Sequence, residues 1–275
     1  MKYFVVALSF GLSLPILAET MVYGRAHILL EKVSGSKLNI KNNDSFLGLK
    51  GVDTLDNGLK VMRQLEFNFD FTNQEKILLV RRSWVGVKGG YGEFRVGLQL
   101  SPYGAVDDTV DFLQHNGHRL HVGSQLKNVL AYLNKIGAFG VSASYAANGD
   151  SYSDGVADLL INYNTYPLYV GIAYLNHSSD KDGVKLALAV RDSNYAIGLV
   201  AEKQAITGDK INTLSGKYIK GGFWLAGQYG KNHSTGESQK NIELGYSLSK
   251  KLKSYYEWEN INGIQSNRVG LVHDF

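Results

Sequence analysis

Apolar and polar residues alternate with a period of two along most of this chain, from Met21 onward, and helical periodicity is not sustained anywhere. The clearest stretch is 59–71. Its apolar positions are Leu65, Phe67, Phe69 and Phe71, and its polar positions are Gln64, Glu66, Asn68 and Asp70. Successive side chains of a β-strand point to opposite faces, so the pattern predicts a strand with one face in water. We therefore predict that Gln64, Glu66 and Asn68 face a water-filled interior.

Clusters of Gly, Asn, Asp and Pro divide the alternating pattern into about sixteen strands. The predicted strands cover approximately 20–32, a second strand ending at 46–51, 59–71, 78–88, 93–100, 128–133, 139–147, 156–166, 168–176, 184–191, 195–202, 210–219, 223–230, 239–248, 252–260 and 265–275. An even number lets every neighbour in a closed barrel be antiparallel. A count of about fourteen stays open, because Asn42-Asn43-Asp44 interrupts the second strand and 120–125 is weakly patterned.

The beginning of the chain has a different pattern from the rest. Lys2 precedes an apolar run from Tyr3 to Leu17, and no second run of that length follows. This arrangement predicts a cleaved signal peptide over 1–18 and a barrel domain over 19–275. Only helices and closed barrels satisfy every backbone hydrogen bond inside a bilayer. We therefore predict an all-β fold, a transmembrane antiparallel β-barrel surrounded by outer-membrane lipids.

The end of the chain also follows the strand pattern. Val269, Leu271, His273 and Phe275 share one face of the last predicted strand. A large apolar terminal residue needs a partner element, since free termini fray. We predict that this strand closes the barrel with its apolar face toward lipid. We also predict that Leu271, His273 and Phe275 form the signal read by the barrel-assembly machinery and by periplasmic chaperones.

Composition narrows the alternatives further. The chain has 17 Tyr, 31 Gly, only 3 Pro and no Cys, which suits an exported barrel with aromatic residues near strand ends. The formal net charge of +4 is too small to indicate nucleic-acid binding. A soluble sandwich or propeller would show the same short alternating strands, but Tyr residues near many strand ends favour a membrane barrel.

Several motifs together resemble one family. They are Val22-Tyr23-Gly24-Arg25, Gly48-Leu49-Lys50-Gly51, Asn57-Gly58-Leu59-Lys60, Gln64-Leu65-Glu66-Phe67-Asn68, Trp84-Val85-Gly86-Val87-Lys88-Gly89 and Gly92-Glu93-Phe94-Arg95-Val96-Gly97. The chain is similar in these motifs to the general trimeric porins of Gram-negative outer membranes. The resemblance implies a homotrimer that lets ions and small hydrophilic solutes diffuse passively, with no catalysis and no cofactor.

The same resemblance gives a role to the long insertion 101–119. In the family the third loop folds back into the barrel and narrows it, and acidic residues on the loop face basic residues on the wall. The acidic residues here would be Asp107, Asp108 and Asp111. Opposed charges at a narrow point orient polar solutes and sort ions. Taken alone, the three carboxylates would instead indicate an ordinary solvated loop.

The basic side departs from the family pattern. Arg25 stands at a position that is basic in relatives, and its side chain is expected to point into the lumen. Phe46 and Leu98, however, replace two arginines that the resemblance leads one to expect.

Arg81, Arg82 and Arg119 are the predicted substitutes on the pore wall, and Lys185, Lys253 and Arg268 lie on faces expected to point into the lumen further round the barrel. If Trp84 faces outward, alternation places Arg81 in the lumen and Arg82 on the outer face. The loss of wall arginines with the loop aspartates retained leads us to expect a weak preference for cations.

Three other functions remain open at this point. A barrel enzyme would need a base and a nucleophile in contact, and the closest grouping is His115, His118 and His121 with Ser124 and Asp111. No motif frames these residues as a catalytic or metal site, so no catalytic residue and no metal is predicted. An adhesin with a filled interior would suit a small barrel of about eight strands. A solute-specific channel would need a track of inward aromatic residues, for which the sequence gives little indication.

Overall fold

The computed structural model describes residues 19–72, 78–115, 120–121, 125–147, 155–177, 182–205 and 207–275. The predicted signal peptide at 1–18 lies outside these residues. The strands are β1 (Glu19–Val33), β2 (Asn39–Asn42), β3 (Phe46–Thr54), β4 (Lys60–Phe69), β5 (Leu78–Gly89), β6 (Gly92–Leu100), β7 (Gln125–Ile136), β8 (Phe139–Ala146), β9 (Val156–Thr165), β10 (Leu168–His177), β11 (Gly183–Arg191), β12 (Tyr195–Lys203), β13 (Lys210–Lys220), β14 (Phe223–Asn232), β15 (Ser238–Ser247), β16 (Leu252–Ile261) and β17 (Ile264–Asp274). One helical turn, α1 (Pro102–Ala105), and a 3₁₀ turn at Asp107–Thr109 lie between β6 and β7.

The sheet closes on itself. β1 pairs antiparallel with both β2 and β3, and each strand from β3 onward pairs antiparallel with the next along the chain. β1 also pairs with β17, from Arg25 opposite Asp274 to Val33 opposite Ser266. The backbone of Phe275 extends this seam, because its N–H donates to the Gly24 carbonyl at 3.0 Å and its carbonyl accepts from the Gly24 N–H at 3.1 Å. Closure leaves no unpaired sheet edge, which is the condition for a sheet to cross a bilayer.

β2 and β3 are two parts of one traverse of the wall. Both pair with β1, and they are separated by Asn43, Asp44 and Ser45. At this interruption the Ser45 hydroxyl accepts a hydrogen bond from the His27 N–H at 2.9 Å. A side chain thus satisfies a backbone donor of β1 that no strand residue pairs with. Counting β2 and β3 as one, the 17 strands make a barrel of sixteen traverses. The predicted all-β barrel of about sixteen strands is confirmed, and the alternative count of about fourteen is wrong.

The two faces of the wall differ as the alternation predicts. On β11, Lys185, Ala187 and Ala189 are buried, whereas Leu186 and Leu188 between them are exposed. Exposed large apolar side chains recur on one face of most strands, as expected for a face in contact with lipid. The buried face is the inner face of the barrel. Among the described residues, no helix has the length and apolar character needed to cross a membrane.

Candidate functional site

The segment 101–115, which follows β6, lies against the inner face of the barrel wall. The Ser101 hydroxyl caps α1 by accepting from the Gly104 N–H at 3.0 Å. Tyr103, Val106 and Val110 are each fully buried and belong to the same apolar cluster as inward side chains of β7–β12. The segment therefore packs as part of the barrel interior and is not a solvated loop.

Small residues on the wall make this close approach feasible. Among them are Ala173, Ala187 and Ala189, which are all buried against the segment. A β-carbon at Gly171 would lie 2.9 Å from a methyl group of Val106, and one at Gly198 would lie 3.0 Å from the β-carbon of Val110. Larger side chains at these positions would hold the segment away from the wall.

A buried polar cluster fixes the start of the segment. Lys185 Nζ lies 2.6 Å from Asp107 Oδ2 and 3.7 Å from Glu202 Oε1. The Tyr103 hydroxyl donates to Glu202 Oε1 at 2.8 Å, and His121 Nδ1 lies 2.6 Å from Glu202 Oε2. Lys185 is fully buried, so its charge depends on these carboxylates for compensation.

Hydrogen bonds from the wall to the backbone hold the rest of the segment. The Ser215 hydroxyl donates to the Val110 carbonyl at 2.6 Å, and Lys217 Nζ donates to the Phe112 carbonyl at 3.0 Å. The Gln114 N–H donates to a carboxylate oxygen of Glu243 at 2.7 Å. The segment is thus anchored across β11–β15.

The facing part of the wall, β4–β6, carries arginines. A register shift in the β4–β5 pairing after Glu66 leaves Arg81 as the extra residue of a β-bulge. Arg81 and Arg82 consequently both lie on the Glu66 side of the wall, with their Nε atoms 3.8 and 3.5 Å from Glu66 Oε2. Arg81 also contacts Asp44 at 2.8 Å, and its guanidinium lies 4.6 Å from the centre of the Phe46 ring. The expectation that Arg82 lies on the outer face is wrong, because the bulge breaks the alternation.

Trp84 faces inward, not outward. Its indole N–H donates to Gln64 Oε1 at 2.8 Å, and the two residues are direct partners across β4–β5. The Arg95 guanidinium lies 4.1 Å from the centre of the Trp84 ring, and its Nε donates to Glu93. A cation–π contact at this distance stabilises the guanidinium beside the indole. Arg95 is therefore a further basic group on the inner wall.

A cavity of about 240 Å³ separates the arginine wall from the segment. Arg82, Arg95 and Gln99 line it from the wall, and Ala105 and Asp108 line it from the segment. The Gln99 amide nitrogen is buried and has no hydrogen-bond partner among the described residues. The cavity thus has donors on one side and a carboxylate on the other.

The three predicted aspartates have different positions. Asp108 is exposed, forms no ion pair within the described part of the chain and lines this cavity. Desolvation raises the pKa of the Asp108 carboxyl, and the positive charges of Arg82 and Arg81 offset part of that rise. Asp107 points the other way, to buried Lys185. Asp111 accepts the Leu113 N–H at 3.1 Å in a local turn. Of the three, Asp108 alone lines the cavity.

Of the remaining predicted residues, Gln64 also lines the cavity. Arg25 faces inward, but its Nε donates to Asp274 at 2.7 Å across the seam, and it does not line the cavity. Arg119 lies outside the described residues. Gln64, Glu66 and Asn68 lie on the inner face of β4.

The C-terminal residues lie on the outer face of β17. Leu271 and His273 are the partners of Ile28 and Ala26 on β1. The Phe275 ring covers Gly24, where an added β-carbon would come within 2.5 Å of the ring. Their role in assembly stays a prediction.

The structure describes His115 and His121 of the predicted histidine group. His121 is held between Glu202 and Thr213, with its Nε2 2.8 Å from the Thr213 hydroxyl. His118 and Ser124 lie outside the described residues. Among the residues that the structure describes, no group of three or more His, Cys, Asp or Glu side chains is placed to hold a metal ion.

The sequence predictions include Lys185 only as one of several inward basic residues, and they do not include Arg95 or Gln99. Arg95 lies in one of the motifs that carry the resemblance, and its alternation with the outward Phe94 and Val96 indicates that it faces inward. No sequence signal distinguishes Lys185 from other inward lysines, because its partner Asp107 is distant in the chain.

Comparison with known proteins gives a family and a fold. A family model described as Gram-negative porin matches residues 5–260. The major outer membrane protein P.IB of Neisseria gonorrhoeae is 31% identical over 127 residues, which are 41% of this chain and 36% of that protein. Outer membrane protein U of Vibrio cholerae is 25% identical over 167 residues, which are 59% of this chain and 46% of that protein. The matches thus span less than half the length of these curated relatives.

Solved structures match over nearly the whole chain. An anion-selective porin from Comamonas acidovorans has a TM-score of 0.77 at 18% identity, covering 94% of this chain and 100% of that one. OmpT of Vibrio cholerae, solved in a trimer form, has a TM-score of 0.74 at 15% identity, covering 93% and 99%. At these identities the likeness establishes the barrel fold.

Proposed function

The chain belongs to the family of Gram-negative porins, and from that premise we propose that it forms a water-filled channel through which ions and small hydrophilic solutes diffuse passively. The family and the barrel fold place it in the outer membrane of a Gram-negative bacterium. It acts as a channel and not as an enzyme, and the gradient of each solute drives its flux.

One observation carries the proposal. The cavity of about 240 Å³ lies inside a closed barrel, between the wall arginines Arg82 and Arg95 and the carboxylate of Asp108. A barrel of about sixteen strands is too wide for its own side chains to fill, so an inward segment that leaves such a gap acts as a waist. We use the term waist for this gap.

The waist sorts solutes by size and charge. Arg81, Arg82 and Arg95 each lie beside a carboxylate of the wall, whereas Asp108 forms no ion pair with a described residue. The unpaired carboxylate favours cations weakly, and the arginines opposite give the waist a transverse field. Arg25 contributes to the lumen near the seam and not to the waist.

We extend the proposal to the assembly. OmpT of Vibrio cholerae, which shares the fold, is described in a trimer form. A homotrimer of this chain would place three channels side by side in the membrane. Lipids would cover the remaining outer face, and the exposed apolar side chains of that face support this arrangement.

Planar-bilayer recording of the refolded mature protein in a KCl gradient tests the proposal. We expect stepwise conductance increases in groups of three and a small reversal potential of the sign that indicates cation preference. A folded barrel, verified by its β-sheet circular dichroism, that inserts but never conducts would refute the channel. Conductance steps that occur singly, and not in groups of three, would refute the trimer but not the channel.

A further inference from the structure

We propose that the lumen contains a binding site for small organic anions with a flat apolar body, the class of aromatic carboxylates, directly beside the waist. The site is a cavity of about 680 Å³ on the side of the turn between β3 and β4. Gln64, Trp84 and Arg95 line both this cavity and the waist. The proposal rests on the proposed channel function, because a solute reaches the cavity through the lumen.

The charge of the cavity favours anions. Its lining includes Lys50, Arg63 and Arg95, and no Asp or Glu. Lys50 is exposed, and its Nζ lies 5.0 Å from the centre of the Tyr23 ring. Arg95 shares its charge with Glu93, which lies outside the lining, and Lys88 lies 3.8 Å from that same carboxylate. Arg63 is the partner of outward Val85, and its guanidinium pairs with Asp53. A carboxylate in the cavity would therefore meet the charges of Lys50 and Arg95 and no carboxylate of the lining.

Apolar surface in the cavity selects among anions. Met21 is 55% exposed and Met62 is half-buried, and both lie on the inner face because their strand partners Lys50 and Gly86 do. Thioethers make favourable contacts with aromatic rings. Hydrated inorganic ions make no comparable contact with a thioether. Two methionines beside a lysine therefore favour an anion that carries an apolar ring.

The Arg95–Trp84 stack supplies a flat cationic surface. The guanidinium carbon lies 4.1 Å from the centre of the indole ring, and both residues line the cavity. A planar solute would pack against this pair, while Lys50 on the same part of the wall would hold its carboxylate. Guanidinium groups stack on aromatic faces and bind carboxylates through the same planar group. A benzoate-like solute matches this pairing of a ring with a negative end.

Sodium benzoate is the probe. In KCl, we expect benzoate to reduce the single-channel conductance in a saturable manner, and we expect equal concentrations of acetate or benzyl alcohol to leave it unchanged. Lys50→Gln should raise the half-blocking concentration about tenfold, since a hydrogen bond to a charged group is lost. Met21→Gln should also weaken the block while the charge stays the same.

Arg191→Gln is the matched control. Arg191 is an inward arginine at the end of β11, on the opposite side of the wall, and it lies outside the cavity. This variant removes one positive charge from the lumen, so a general electrostatic effect would change the benzoate block as much as Lys50→Gln does. A block that acetate reproduces, or one that Arg191→Gln weakens equally, would overturn the proposal.

Calorimetric titration of the detergent-solubilised protein with benzoate separates this proposal from the channel function. Saturable heat in the wild type that is weakened in Lys50→Gln supports the site even if no current is recorded. Normal conductance with no saturable benzoate binding leaves the channel intact and rejects the site.

Discussion

The inner wall has two regions with opposite character. We call the inner face of β10–β13 the covered region and that of β4–β6 the open region. The covered region has small residues where the segment 101–115 approaches the wall most closely: Gly171, Ala173, Ala187, Ala189 and Gly198. Side chains of the open region are long and polar or aromatic: Gln64, Glu66, Arg82, Trp84 and Arg95. The wall thus determines where the segment docks and where the lumen stays open.

The comparison shows how two adjacent aspartates acquire different roles. Asp107 and Asp108 belong to one 3₁₀ turn, and its geometry directs them to different sides. Asp107 meets Lys185 of the covered region, whereas Asp108 lines the cavity opposite the open region. We infer that the first carboxylate fixes the segment and the second acts on solutes. Each of the three predictions below tests this division.

The largest effect is expected from Lys185→Met in the covered region. The substitution leaves the buried carboxylates of Asp107 and Glu202 without their cation, and breaking a buried pair in this way costs about 3–5 kcal/mol. We expect a clear decrease in the urea concentration at the midpoint of unfolding, followed by tryptophan fluorescence in detergent. Channels that still form should show noisier currents, because the segment has lost an anchor.

Lys253→Met provides the control for that substitution. Lys253 lies 3.7 Å from Asp274, but both side chains are about a third exposed, so water replaces the lost partner. Equal shifts of the midpoint in the two variants would show that Lys185 is not a special anchor.

A smaller effect is expected from Gly198→Val. The added β-carbon would lie 3.0 Å from that of Val110 and 3.2 Å from the Phe112 ring, so the segment must move into the lumen. We expect a lower single-channel conductance and a loss of stability of about 1–3 kcal/mol from overpacking.

Gly216→Val is the matched variant for Gly198→Val. Gly216 is the partner of outward Ile197 on the next strand, and its nearest neighbour would be the Ala196 carbonyl at 3.7 Å. Conductance should stay at the wild-type value in this variant. An unchanged conductance in Gly198→Val as well would mean that the covered region does not position the segment.

The sequence predicted the barrel because period-two alternation is imposed on every traverse by the contrast between lipid and water. The prediction that Gln64, Glu66 and Asn68 face inward has the same physical basis. The sequence pattern gave the wrong face of the wall for Arg82 and Trp84. One extra residue in β5 exchanges the inward and outward positions of the residues that follow it. In Arg81-Arg82-Ser83 no apolar side chain marks the outer face, so the bulge leaves no sign in the pattern.

The site was less predictable than the fold, because docking of the segment depends on contacts distant in sequence. Small residues such as Ala187 and Gly198 carry almost no hydropathy signal, although they decide how closely the segment approaches. Likewise, nothing in the order Asp107-Asp108 shows which carboxylate meets a lysine 78 positions away.

The smallest effect is expected from Asp108→Asn, and it concerns ion preference alone. Removing an exposed charge at the waist should lower the cation to anion permeability ratio by about fivefold at most, since a unit charge in water contributes about 1 kcal/mol at 4 Å. The reversal potential in a KCl gradient measures the ratio. Asp111→Asn is the comparison variant and should change the ratio less, because Asp111 caps a turn outside the cavity.

The pH dependence of the cation to anion permeability ratio tests the role of Asp108 in a second way. Desolvation raises the pKa of Asp108 above that of an ordinary aspartate, and the arginines opposite restore only part of the difference. The carboxylate is charged above its pKa, so the cation preference of the wild type should fall as the pH is lowered, and at a higher pH than an unperturbed aspartate would give. Asp108→Asn should remove this decline. If the decline persists in the variant, the titrating group lies elsewhere in the lumen, and Asp108 does not set the ion preference of the waist.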